Sequence, residues 1–109
     1  MVVTGAAGLI GSALVRHLNL TGAEDLIVVD RLGTSEKWRH LVPLRFADYF
    51  DAEEFFDRIA REPGAFGEIA AVFHLGACSS TTERDASYLI ANNVRCSQEI
   101  ARWAFARGA

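Results

Sequence analysis

The chain opens on Met1-Val2-Val3-Thr4, a short β-branched run, and turns at once into Gly5-Ala6-Ala7-Gly8-Leu9-Ile10-Gly11. A helical pattern follows, with Ile10, Ala13, Leu14 and Leu18 spaced for one face. Strand, glycine turn and helix in that order constrain the fold more than any other feature. In such a turn Gly5 permits the tight exit from the strand, Gly8 lets the backbone approach a diphosphate, and Gly11 allows close helix-to-strand packing. The N–H groups of the first helical turn face the anion. Gly11 is followed by Ser12 and not by a lysine, which excludes a nucleoside-triphosphate P-loop.

The rest of the chain repeats the alternation. Thr21-Gly22 ends the first helix, and Leu26-Ile27-Val28-Val29-Asp30 reads as a second strand, apolar on both faces as in a covered parallel sheet. A polar connection spans 31–42, and a third strand is expected around Leu44-Arg45-Phe46. Asp51 with Glu54 resembles a capping arrangement for a helix whose buried stripe is Phe55, Phe56 and Ile59, stopped by Pro63-Gly64. Ile69 to Leu75 is the fourth strand. The small-residue loop Gly76-Ala77-Cys78-Ser79-Ser80-Thr81-Thr82 leads to a long helix over about 85–107, with Leu89, Val94, Ile100, Ala101, Ala104 and Phe105 as its core contributors. The pattern predicts an α/β, doubly wound parallel sheet, incomplete at the C-terminus, with residues 1–109 as the first part of a dinucleotide-binding domain and no substrate domain. Such a piece is expected to be marginal or prone to aggregation on its own.

Composition removes several alternatives. With 50% hydrophobic and 23% charged residues, a net charge of −3 and no cluster of Lys or Arg, nothing in the chain marks a nucleic-acid or anionic-membrane surface. No apolar run approaches a bilayer span and no signal peptide opens the chain, so the cytoplasm is the expected compartment. Cys78 and Cys96 lack metal-site spacing and are expected to be free thiols; no metal site is expected.

Asp30 ends the second strand nineteen positions beyond Gly11 (30 minus 11), where a carboxylate can accept hydrogen bonds from the adenosine ribose. That favours NAD. Arg31 follows it and Lys37 lies in the same connection, placed to neutralise a 2′-phosphate, which favours NADP. Asp48, after the expected third strand, is placed for an adenine contact. His74, inside an apolar strand, is expected to be a hydrogen-bonded core residue, and Ser79 to Thr82 either touch ligand or satisfy a helix entry.

The glycine turn, together with Val72-Phe73-His74-Leu75-Gly76-Ala77, resembles the extended short-chain dehydrogenase/reductase superfamily, whose dinucleotide-binding domain is a Rossmann fold. Ala47-Asp48-Tyr49, Gly76-Ala77-Cys78-Ser79-Ser80-Thr81-Thr82-Glu83 with Asp85, and Asn92-Asn93 narrow the likeness to the ADP-L-glycero-D-manno-heptose 6-epimerase family. The resemblance implies an isomerase in lipopolysaccharide core biosynthesis that inverts C6 of its nucleotide-sugar substrate by oxidation and re-reduction through bound NADP, as a homo-oligomer when full-length. It implies cofactor contacts from Leu9, Ile10, Asp30, Arg31, Lys37, Leu75, Gly76, Ala77, Cys78, Ser79 and Asn92, besides Gly5, Gly8 and Gly11. Leu75 and Ala52 depart from the family's glutamate and lysine at those places. The family's catalytic Tyr-x-x-x-Lys pair is not in the sequence, since Glu53 follows Tyr49 and Asn92 follows Tyr88 at the required spacing. No catalytic residue is therefore assigned, and the chain alone is expected to be inactive. The alternatives are another UDP- or dTDP-sugar epimerase or dehydratase, and a non-catalytic dinucleotide sensor.

Overall fold

The computed structural model describes residues 1–76 and 86–109, with the side chains of residue 86 and residues 88–92 left aside. Its elements are β1 (Val2–Thr4), α1 (Leu9–Leu20), β2 (Ile27–Asp30), a 3₁₀ turn (Lys37–His40), β3 (Asp48–Asp51), α2 (Ala52–Arg61), β4 (Val72–His74) and α3 (Ala86–Ala106). The sheet is parallel throughout, in the order β3-β2-β1-β4. This is an α/β Rossmann-like arrangement, with β1 in the interior and β4 at one edge.

Alternation along the strands divides the core into two layers. Val2 and Val29 face a cluster with Ala52, Phe55, Ile59, Ile69, Ile100, Trp103 and Ala104, so α2 and α3 cover that side. Val3 and Val28 face Ala6, Ala7, Val15, Leu26 and Leu41, so α1 and the connection after β2 cover the other. Both faces of the central strands are buried, which is why their sequences read as continuous apolar runs. Phe55 has no exposed surface, and burying a side chain of its size is worth about 2–3 kcal/mol. It stacks on Phe66 at 5.5 Å and meets Trp103 edge-on at 5.6 Å. The Trp103 indole N–H donates to the Pro63 carbonyl at 2.9 Å, tying α3 to the segment that follows α2.

The helix ends follow their signals. Gly22 takes φ +96° after α1, its N–H reaching the Asn19 carbonyl and that of Ala23 the Leu18 carbonyl, a Schellman closure. Asp51 caps α2 by accepting the Glu53 N–H at 3.1 Å.

Four expectations are corrected. The third strand is Asp48–Asp51 and not Leu44–Phe46. The Asn19 side chain pins Arg45, accepting its N–H and donating to its carbonyl, so the earlier stretch has its backbone polar groups satisfied outside the sheet. On α1 the buried positions are Gly11 and Val15, with Leu14 and Leu18 packed against the core beside them, while Ile10 and Ala13 are exposed. On α3, Val94, Ala101 and Phe105 are exposed and Trp103 is buried instead; the last turns rest on α2 through the Ile100, Trp103 and Ala104 face. Cys96 is disulfide-bonded and not a free thiol, a pairing that spacing along the sequence does not reveal; Cys78 lies outside the described residues.

Candidate dinucleotide site

At the carboxyl ends of the strands the backbone of the glycine turn touches the loop that leaves β4. Gly5 has φ +69°, and a Cβ placed on it would lie 2.7 Å from the Gly76 N. A Cβ on Gly76 would reciprocally lie 2.8 Å from the Gly5 N. A Cβ on Gly11 would fall far inside contact distance of the Gly5 carbonyl oxygen, so α1 starts directly against the turn. Gly8 is the N-cap of α1 and provides no side-chain cap to the first helical N–H groups. Those groups, the partial positive end of a 12-residue helix, are available to an anion. Leu9 and Ile10 beside them are 80% and 75% exposed and form an apolar rim at the start of α1.

Thr4, a buried polar residue that the sequence reading passed over, locks the two loops together. Its Oγ1 accepts the N–H groups of Leu75 at 3.1 Å and Gly76 at 3.2 Å. With both lone pairs engaged, its hydroxyl proton goes to the Nδ1 of His74 at 2.7 Å, which assigns His74 the tautomer carrying hydrogen on Nε2. Burial lowers the His74 pKa below its usual value, so the neutral ring is favoured. The expectation of a hydrogen-bonded structural histidine holds. A threonine closing a buried strand just before a glycine turn is the signal that could have identified its partner.

Asp30 is held from three sides. Oδ2 accepts the Ala7 N–H at 2.8 Å, and Oδ1 accepts the Arg31 N–H at 2.6 Å and the Lys37 ammonium at 2.7 Å. Oδ2 keeps one lone pair, which suits a single ribose hydroxyl. Tyr49, at the middle of β3, donates its hydroxyl to the Asp30 carbonyl at 3.0 Å. Its pKa is pushed up to about 12, chiefly by burial and then by the charges of Asp51, Asp30 and Glu54. Arg31 lies 3.5 Å from the exposed Glu53 carboxylate at the start of α2.

The structure therefore brings together Gly5, Gly8, Leu9, Ile10, Gly11, Asp30, Arg31, Lys37, Leu75 and Gly76. Ala77, Cys78 and Ser79 lie outside the described residues, and Asn92 is placed on α3 by its backbone alone. Asp48 is moved away from the site. It starts β3 opposite Ile27, at the amino ends of the strands, whereas Asp51 pairs with Asp30 at the carboxyl ends where ligands bind in open α/β sheets. Ala52 is buried in the core and supplies no cation. Among the described residues no group of three or more His, Cys, Asp or Glu is placed to hold a metal, and no helix is long and apolar enough to cross a membrane.

A parallel sheet whose first strand enters a glycine turn, with an uncapped helix start and a carboxylate closing the second strand, defines a nicotinamide-dinucleotide-binding architecture. Residues 1–109 match the NAD dependent epimerase/dehydratase family, and the chain belongs to it. At finer grain it is 47% identical over 108 residues, 99% of its length, to the ADP-L-glycero-D-manno-heptose-6-epimerase of Nitratidesulfovibrio vulgaris (strain DP4), covering 33% of that protein. It is 46% identical over 100 residues, 92% of its length, to the protein of the same name from Cupriavidus pinatubonensis (strain JMP 134 / LMG 1197), covering 30% of it. The chain thus spans about a third of the length of these relatives, and the match lies in their N-terminal part.

Proposed function

We propose that the chain is the cofactor-binding part of a cytoplasmic nucleotide-sugar epimerase that inverts C6 of ADP-D-glycero-D-manno-heptose, with NADP as its dinucleotide. The observation that carries the cofactor assignment is the Lys37–Asp30 ion pair at 2.7 Å. A free carboxylate at the end of β2 repels a 2′-phosphate; paired with the Lys37 ammonium and two backbone N–H groups, its charge is offset, and Arg31 follows it in the chain as a second cation. The substrate assignment rests on the relatives' names at 46–47% identity.

The dinucleotide, when bound, supplies the chemistry by taking hydride from the sugar carbon and returning it to the opposite face. The residues of this chain bind and orient. Gly5 and Gly8 admit the diphosphate to the start of α1, Asp30 offers Oδ2 to the ribose, and the Thr4-locked loop at Leu75 and Gly76 forms the opposite wall. The proton acceptor opposite the substrate carbinol is assigned to a Tyr-x-x-x-Lys pair outside this sequence. Oligomeric assembly, as the resemblance implies, belongs to the longer protein.

Calorimetric titration with NADP and with NAD tests the cofactor half. NADP binding at least tenfold tighter than NAD is expected, and K37M should bring the two together. Equal affinity in the unaltered protein refutes the NADP assignment. Epimerisation of ADP-heptose by the protein carrying the Tyr-x-x-x-Lys segment tests the substrate half.

A further inference from the structure

The 3₁₀ turn between β2 and β3 docks on the glycine turn through two side chains. In a 3₁₀ helix residues i and i+3 eclipse, so Lys37 and His40, at the two ends of the turn, project from one face. Lys37 reaches Oδ1 of Asp30, and the Nδ1 of His40 lies 2.6 Å from the Ala7 carbonyl. A carbonyl has no proton to give, so Nδ1 is the donor, the reverse of the role Nδ1 plays in His74. The Ala7 N–H donates in turn to Oδ2 of Asp30. Lys37, Asp30, Ala7 and His40 therefore close a ring in which the two peptide groups flanking Ala7 are held, one at its N–H and the next at its carbonyl. Both lie between Gly5 and Gly8, where the backbone must lie in one orientation for a diphosphate to meet the start of α1.

We propose that His40 is a positioning residue for dinucleotide binding, fixing the Ala7 carbonyl so that the glycine turn and the Lys37-bearing connection are pre-arranged for the cofactor. The inference rests on the dinucleotide reading above. Pre-arrangement acts by sparing the ligand the ordering of its own site, so removing the bond weakens binding without removing any contact to the ligand.

Two substitutions separate the hydrogen bond from the bulk of the ring. H40F keeps a planar ring with no donor, while H40N places an amide nitrogen at the same bond distance from Cβ as Nδ1. Calorimetric dissociation constants for NADP are measured on the full chain, with thermal melts alongside. H40F is expected to bind about three- to tenfold more weakly, the loss of one net hydrogen bond. H40N should stay within about twofold of the unaltered protein. H40F binding like the unaltered protein, or H40N as weak as H40F, overturns the proposal. An H40F that is unfolded at room temperature also overturns it, since His40 is then a stability residue. If the unaltered protein binds neither NADP nor NAD, the dinucleotide reading itself fails, an outcome distinct from tight binding by indifferent variants.

Discussion

Ala7 and Asp30 are joined by a 2.8 Å hydrogen bond from a backbone N–H in the glycine turn to the carboxylate that ends the neighbouring strand. The bond makes Asp30 part of the turn's own architecture as well as a residue facing the ribose. D30A should therefore lose more than ligand affinity. It leaves the Ala7 N–H without its acceptor and Lys37 without its counter-charge, and the cost is expected at about 2–4 kcal/mol. A lowered urea midpoint together with lost NADP binding is the expected result; weakened binding at unchanged stability would restrict Asp30 to ligand contact.

Gly11 and Gly22 make a contrasting pair. G11A drives a methyl group into the backbone of Gly5 and Ala6, which has no flexible side-chain end to give way, so we expect loss of the folded state or a destabilisation above about 3 kcal/mol. G22A meets nothing within 4 Å, and its cost is the left-handed backbone alone, about 1 kcal/mol. Thermal melts of the two variants check the order, and equal shifts would count against the close approach of α1 to the turn.

His74 gives the fold a dependence on acid. Burial lowers its pKa in the folded chain relative to the ordinary 6.5, so the unfolded chain binds the proton first as pH falls. The stability contributed by the neutral ring is complete above pH 6.5 and is lost as pH falls through the folded value. H74F removes the titrating group and should flatten the stability profile below neutrality, measured by urea unfolding across pH 5 to 7.5. T4V should cost about 1–3 kcal/mol, because the Gly76 N–H loses its acceptor, while the Leu75 N–H keeps the Thr4 carbonyl at 3.3 Å.

Tyr49 behaves oppositely at the alkaline end. With its folded pKa at about 12 against 10 in the unfolded chain, the neutral phenol is favoured by folding, and the stability it contributes is lost as pH rises from 10 to 12. Ultraviolet titration should show one phenol ionising late. Y49F should abolish that late step, and a late step that survives assigns it to Tyr88.

Much of this molecule was legible along the chain. Strand, glycine turn and helix were readable because β-branched residues, glycines at 5, 8 and 11 and the periodic apolar positions act locally, and the Asp51 cap and Gly22 closure are local signals of the same kind. The position of Asp30 was readable too, since strand length places it at the sheet end. The third strand was misplaced because two adjacent apolar stretches competed for one sheet position. The side-chain bonds of Asn19 to Arg45, on a different element, settled the matter. On α3 the periodicity could not say which stripe would meet α2, so Trp103 was passed over for Phe105.

The sequence by itself determined the order of elements, the parallel sheet and the place where an anion meets a helix, because these follow from backbone preferences and from the burial of both sheet faces. Only the tertiary structure decided that Thr4 locks the β4 loop, that Lys37 neutralises Asp30, and that His40 holds Ala7. Each of these bonds joins residues from different parts of the chain: 4 with 74–76, 30 with 37, and 7 with 40. Their energies depend on distances of a few tenths of an ångström, which packing sets and residue spacing does not encode.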